Sequence, residues 1–302
     1  MWGLFLSFET ETYFLWHDDL MEQSLDSKKK DARWLLEEKY NGVNTPEYEE
    51  ELKRLASGDP LGYLIGWQPF LGLKIHLDSR PLIPRPETEW WTEQFISSLS
   101  SRKSEGRFSV VRLGLAARSA TENRPADERS VRVLDLCAGS GAIGCAVLAR
   151  LQNAHVSFGE IDPAHEATIL KNIRENNLDE SRASIRIGDL FEPFGDTRFD
   201  FIAANPPYIP ENRTLDPSVA LFEPSLALLS GEDGLDSIRR IAKEIPQRLA
   251  PGGVAWIECD SAHAVAACAL FSDQGMKATL RTDQYAVPRL LVCRHTRARS
   301  AQ

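Results

Sequence analysis

Asn205-Pro206-Pro207-Tyr208 is the stretch whose residue types most readily do chemistry. Asn205 carries a side-chain carbonyl oxygen, the backbone carbonyls around Pro206 need partners, and Tyr208 supplies a flat face. Together they offer acceptors for the two hydrogens of an NH2 group, beside a platform for a planar one. A primary amide or exocyclic amine held in this way keeps its hydrogens bonded and turns its nitrogen lone pair toward an electrophile. The consecutive prolines fix φ and lack N–H donors, and Pro206 biases Asn205 toward extended backbone, so the loop is stiff. The same four residues also make an ordinary turn, since Pro and Asn favour turns. Their position weighs against that plainer reading. The apolar run from Arg198 to Ala204 has strand character, which places the loop at a strand's carboxyl end, where ligands of open α/β sheets bind.

A site for a second reactant lies upstream. The strand Val131 to Leu136 runs into Cys137-Ala138-Gly139-Ser140-Gly141-Ala142-Ile143-Gly144. Glycines let the backbone approach a ligand closely, and the following helix, read from Ala146 to Leu151, directs its first N–H groups at that ligand. Gly139-x-Gly141-x-x-Gly144 fits a dinucleotide fingerprint; it also fits a P-loop spacing, but Cys145 stands where the phosphate-binding lysine would be. An ATPase is therefore disfavoured. A second strand, His155 to Asp162, ends in carboxylates about 20 residues past the glycines, the spacing at which an acid accepts hydrogen bonds from ribose hydroxyls. Glu160 and Asp162 share one face, and Asp162 reads equally well as a cap before Pro163, so the choice between them stays open.

The elements that must position these loops follow from periodicity. Residues from about 9 to 57 are helical in pattern, with Trp34, Leu35, Leu36, then Tyr48, Leu52 and Leu55 at helical spacing. Asn41-Gly42 and Thr45-Pro46 interrupt them, and Ser57-Gly58-Asp59-Pro60 stops them. Gln68 to Leu77 alternates as a β-hairpin with Gly72 near its turn. Thr88 or Glu87 reads as the cap of a helix through Trp90, Trp91, Phe95 and Ile96. Residues from about 99 to 130, rich in Ser, Arg and Glu, read as a solvated linker enlarged by an insertion. From Val131 onward strands and helices alternate, which implies a parallel α/β sheet with helices on both faces. Helices follow at Ala164 to Asn177, Ser237 to Leu249 and Ala262 to Phe271; Pro251-Gly252-Gly253 turns into the strand Val254 to Cys259. Strands near Ala278 to Arg281 and Arg289 to Cys293 make an antiparallel closing hairpin.

Composition narrows the class. At 302 residues, 42% hydrophobic and 26% charged, the chain has room for a full core and a second, smaller unit. A net charge of −9 argues against nucleic acid as a partner gripped through phosphates. The apolar opening Met1 to Phe8 is far shorter than the roughly 20 residues of a membrane span. It is followed by Glu9, Glu11, Asp18, Asp19 and Glu22 before the first basic residue, Lys28, the opposite of an acid-poor transit peptide. Five cysteines without a Cys-x-x-Cys pair read as reduced thiols, and the scattered histidines give no metal motif.

The Asn-Pro-Pro-Tyr loop behind a glycine-rich loop resembles the amino-methyltransferases that use S-adenosylmethionine, a class acting on glutamine amides or adenine amines. Within it, Tyr63-Leu64-Ile65-Gly66, Phe70-x-Gly72 and Pro84-Arg85-Pro86-Glu87-Thr88-Glu89 are similar to the peptide-chain release factor glutamine N5-methyltransferases. Phe222 to Leu228 and Gly231 to Leu235 match the same pattern. The resemblance covers nearly everything from Asp59 onward and implies a seven-stranded, Rossmann-like methyltransferase sheet. Small helices and the hairpin (1–80) would recognise substrate, a connecting helix and linker would follow (81–130), and 131–302 would be the methyltransferase domain. It implies catalytic and substrate contacts at Asn205, Pro206, Pro207 and Tyr208, with Arg85 as a further substrate contact. It implies cofactor contacts at Asp135, Cys137, Ala138, Gly139, Ser140, Gly141, Glu160, Asp162, Asp189, Leu190 and Asn205. The expected reaction moves a methyl group from S-adenosylmethionine to the glutamine of a release factor's Gly-Gly-Gln motif. An adenine-N6 methyltransferase and a nicotinamide-dependent oxidoreductase are the alternatives. A monomer is expected, and the long insertion resembles eukaryotic organellar members, which implies mitochondria, with the cytoplasm as the alternative.

Overall fold

A computed structural model describes residues 28–104 and 130–296, with no side-chain placement for 100–104. The helical reading of residues 9–27 and most of the solvated insertion lie outside the described residues. The rest divides into two compact units.

The first unit comprises residues 28–66 together with 216–222. Helix α1 (28–40) ends where Asn41 and Gly42 take positive φ. Thr45 caps α2 (Pro46–Ala56), its hydroxyl accepting from the Tyr48 amide at 3.2 Å, with Pro46 in the first turn. These are the interruptions expected from the sequence. A five-residue helix, α3 (Leu61–Ile65), follows the expected stop and is too short for periodicity to reveal. Leu35 and Leu64 are fully buried, Tyr48 donates its hydroxyl to the Ala32 carbonyl at 3.2 Å, and Lys39 reaches the Leu64 carbonyl at 2.6 Å.

The second unit opens on the expected hairpin, β1 (Trp67–Phe70) against β2 (Leu73–His76), turning through Leu71 and Gly72, both at positive φ. The sequence reading grouped this hairpin with the helices; here its backbone is held by α6 (Glu166–Glu175). Asn172 accepts from the His76 amide at 2.6 Å and Asn176 from the Lys74 amide at 3.0 Å. Helix α4 (Pro86–Ser104) starts earlier than expected: Pro86 takes the first helical position, so Glu87 and Thr88 lie inside the first turn rather than capping it. It also extends into the residues read as linker. Its Trp91 and Phe95 are fully buried in the core on one face of the sheet, with Val133, Phe201 and Trp256.

That sheet is built from β3 (Val131–Leu136), β4 (Ala154–Glu160), β5 (Ala183–Ile187), β6 (Phe199–Ala204), β7 (Leu249–Glu258), β8 (Met276–Thr282) and β9 (Pro288–His295). Their order is β5-β4-β3-β6-β7-β9-β8, parallel through β7, with the last pair forming the expected antiparallel closure. Helices α5 (Ala142–Arg150) and α6 pack with α4's face. Helices α8 (Asp236–Arg248) and α9 (Ala264–Asp273) cover Leu134, Ile202 and Ala255 on the other. The short α7 (Pro217–Phe222) belongs to the first unit.

Two boundaries differ from expectation for physical reasons. Helix α5 begins at Ala142 rather than Ala146, because left-handed Gly141 is its N-cap and Gly144 is already helical. Strand β7 begins at Leu249, ahead of the Pro-Gly-Gly turn. That turn is looped out inside the strand, between the pairings Phe199↔Leu249 and Phe201↔Val254. Register then sets the site. Leu136 on β3 pairs with Gly159 on β4 and with Ala204 on β6, so Cys137, Glu160 and Asn205 emerge side by side at one sheet edge, where strand order reverses.

Candidate functional site

The cleft at that edge lies wholly in the second unit and joins both loops singled out in the sequence. Cys137, Gly139, Glu160, Asp162, Asp189, Leu190, Asn205 and Pro207 line it.

The glycine loop is held by backbone geometry. Cys137, Gly139 and Gly141 all take positive φ, between 55° and 77°. Glu160 ties the loop to β4: one carboxylate oxygen accepts from the Gly139 amide at 2.7 Å, the other from the Ile161 and Asp162 amides at 2.9 Å each. Ala138 donates its N–H to the Gly159 carbonyl at 3.0 Å. Asp135 lies beneath the loop rather than in the cleft, accepting from the Gly144 amide at 2.8 Å. Burial pushes its carboxyl up to about 8, and its other oxygen is buried without a partner. Ser140, buried, gives its carbonyl to Asn172 at 2.9 Å. Asp135, Ala138, Ser140 and Gly141 thus shape the loop without lining the cleft. A Cβ on Gly144 would come within 2.7 Å of Phe158 Cζ and closer still to Cε1, which is why the third glycine is there.

Asp162 does cap Pro163–His165, accepting from the Ala164 amide at 2.9 Å, and it also faces the cleft. Capping therefore does not withdraw Asp162 from the cleft. Asp189 is paired with Arg240 of α8 at 2.7 Å. The sequence does not reveal Leu82, Ile161, His165, Leu226 or Arg240 as lining residues. None carries a motif, although Ile161 is marked by lying between the two acids.

The Asn205 loop is held by side chains from distant parts of the chain. Asn205 donates through Nδ2 to Thr88 Oγ1 at 3.3 Å, and Thr88 donates to Glu258 Oε2 at 2.7 Å. Trp91 Nε1 donates to the same oxygen at 2.6 Å, and the Tyr208 hydroxyl donates to Oε1 at 2.9 Å. Burial raises the Glu258 carboxyl; the three donors and the Arg289 charge pull it back only in part. Burial and the Glu258 charge hold the Tyr208 hydroxyl well above its ordinary value, so it stays protonated. Tyr208 is half-buried, packed against the core that α8 and α9 cover, and is not among the residues lining the cleft. Beyond it, Ile209 and Leu229 form a parallel bridge that brings the segment 224–229 to the cleft wall.

Arg85 is outside the cleft. It pairs with buried Glu223, which also accepts from the Ile83 amide at 3.2 Å. Glu89, four residues from Arg85, accepts from the Leu71 amide at 2.6 Å and fixes the hairpin turn. Among the described residues, no cluster of three or more His, Cys, Asp or Glu is placed to hold a metal ion, and no helix is long and apolar enough to cross a membrane.

This geometry agrees with the comparisons to known proteins. The family described as methyltransferase small domain matches residues 99–261, more than half of the chain. The release factor glutamine methyltransferase of Geobacter sulfurreducens is 32% identical over 273 residues, spanning 85% of each chain. Its counterpart in Bordetella pertussis is 33% identical over 252 residues, covering 81% of this chain and 82% of its own. A ribosomal protein uL3 glutamine methyltransferase of Bradyrhizobium diazoefficiens is 34% identical, but over 202 residues and only 57% of its length. The glutamine-amide reading is thereby favoured over the adenine and nicotinamide alternatives, and the chain belongs to the release factor glutamine methyltransferases.

Proposed function

We propose that this chain transfers a methyl group from S-adenosylmethionine to the side-chain amide nitrogen of the glutamine in a release factor's Gly-Gly-Gln motif. The observation that carries the reading is that Asn205 and Pro207 line the same cleft as the glycine loop and its carboxylates. The residues present fit the cofactor. Glu160 and Asp162 offer acceptors suited to ribose hydroxyls, Ile161 and Leu190 offer apolar faces for a base, and Asp189 an acceptor for its amine. When bound, the cofactor supplies an electrophilic methyl group.

The chain's own contribution is positioning. A primary amide nitrogen is a poor nucleophile because its lone pair is delocalised, so holding it in an attack geometry carries much of the acceleration, on the order of several kcal/mol. Asn205 Oδ1 and the carbonyl next to Pro206 accept the two amide hydrogens. The first unit supplies the wider grip on the release factor, because a single glutamine loop offers too little surface for specificity. The chain acts as a monomer in mitochondria, with the cytoplasm as the alternative address; the long insertion, similar to that of organellar members, supports the first. A tagged full-length protein confined to the cytosol overturns that address.

The test of the function is methyl transfer to a purified release factor, read by mass spectrometry of the Gly-Gly-Gln peptide. Methylation of the wild-type factor and none of its Gln→Ala variant is the expected result. Methylation of both, or of neither, overturns the reading.

A further inference from the structure

Asn205 has an amide that can point either way, and its proposed role demands one of them. With Oδ1 toward the acceptor it receives a hydrogen; with Nδ2 there it would repel the acceptor's own N–H groups. Nothing in the Asn-Pro-Pro-Tyr loop selects between the two. The selection comes from Thr88 and Glu258, which the sequence places 170 residues apart.

Glu258 Oε2 receives two donors, Trp91 Nε1 at 2.6 Å and Thr88 Oγ1 at 2.7 Å. An indole nitrogen can only donate, so Oε2 is held as an acceptor, and three donors with the Arg289 charge favour the ionised carboxylate. The single hydroxyl proton of Thr88 is therefore committed to Glu258. Its oxygen then has only lone pairs left for Asn205, 3.3 Å away, and can be satisfied only by Nδ2–H. Oδ1 is left for the cleft that Asn205 lines. Thr88 and Glu258 are both buried, so water does not compete for these positions. The other carboxylate oxygen holds the Tyr208 hydroxyl at 2.9 Å, so one buried group anchors both ends of the loop.

We infer that Thr88 and Glu258 form a positioning relay that fixes the Asn205 amide with its carbonyl oxygen toward the acceptor nitrogen. They touch neither reactant; they act through Asn205. The inference rests on the proposed function, since an amide orientation matters to rate only if Asn205 holds the acceptor.

The test uses the full chain, S-adenosylmethionine and a purified release factor carrying a Gly-Gly-Gln loop. Thr88→Val keeps the shape and removes the hydroxyl. Its kcat is expected to fall at least about tenfold, while KM for the release factor and calorimetric affinity for S-adenosylmethionine stay within about twofold. Thr88→Ser keeps the hydroxyl and should return kcat to within about threefold of wild type. Glu258→Gln must keep its amide oxygen toward Trp91 Nε1, so it still accepts from Thr88 and should leave kcat within about threefold of wild type. Thr88→Ala replaces the valine variant if valine lowers the melting temperature. Wild-type kcat in Thr88→Val beside an inactive Asn205→Ala overturns the relay and leaves the proposed function standing. Full activity in Asn205→Ala removes both. A low kcat that Thr88→Ser does not restore makes the effect one of packing and overturns the relay.

Discussion

The two loops that meet in the cleft are fixed by opposite means. The glycine loop is held by backbone conformation and by Glu160, which lies 21 residues from Gly139 and on the neighbouring strand. The Asn205 loop is held by side chains 117 and 50 residues away in sequence, Thr88 on Asn205 and Glu258 on Tyr208. Damage to the glycine loop should therefore appear as lost folding and cofactor affinity. Damage to the Asn205 loop should appear as lost turnover in a protein that still folds and binds.

The largest effect tests that contrast directly. Asn205→Ala removes the acceptor oxygen and should lower kcat by more than about a hundredfold while S-adenosylmethionine affinity changes only a few fold. Single-turnover rates beside calorimetry make the check. Near wild-type turnover, or lost cofactor binding, breaks the contrast.

Gly144→Ala probes the other loop. The added methyl group would press into the Phe158 ring, with Asp135 at 3.0 Å on another side, so the helix must shift. Overpacking of this kind costs about 1–3 kcal/mol. A lower melting temperature and weaker cofactor binding are expected together; an unchanged melting temperature shows that the α5–β4 contact yields easily.

The same contrast explains what could be read from the sequence. Glycine spacing, strand alternation and the acids after β4 are local patterns, so the sheet, the glycine loop and its cleft edge were legible. Periodicity also found α1, α2 and the hairpin. The relay was not legible, because nothing local marks Thr88 as the partner of Glu258 or Arg85 as the partner of Glu223, 138 residues on. The helix cap assigned to Thr88 illustrates the failure. A Thr near a helix start has a cheap local use, and only tertiary packing shows that Pro86 had already begun the helix and left the hydroxyl for Glu258. Tyr208 is similar, since nothing local tells that its hydroxyl is held by Glu258, 50 residues on.

A smaller effect divides the two carboxylates within the glycine-loop half. Both oxygens of Glu160 are engaged by backbone N–H groups, and an amide nitrogen in their place would face a donor. Glu160→Gln should weaken S-adenosylmethionine binding by roughly 1.5–3 kcal/mol, through both the loop and the ribose. Asp162→Asn retains the cap and should stay within about threefold. Calorimetry giving the reverse order assigns the ribose to Asp162.

The smallest effect concerns whether Arg85 belongs to the acceptor half at all. Its side chain is 34% exposed, whereas that of Glu223 is 2% exposed, so the pair is neither a surface bridge nor a fully buried one. Surface pairs contribute about 0–1 kcal/mol, and breaking a buried one costs about 3–5, which puts Arg85→Gln at about 1–2 kcal/mol of stability. Glu223→Gln should cost a similar amount, and the double variant less than the sum, because the second change removes a charge already left without its partner. KM for the release factor should not move in any of the three. Those results make Arg85 a brace between the Ile83–Pro86 segment and Glu223. A raised KM in Arg85→Gln with an unchanged melting temperature would instead free the guanidinium for substrate and extend the acceptor half of the site beyond the Asn205 loop.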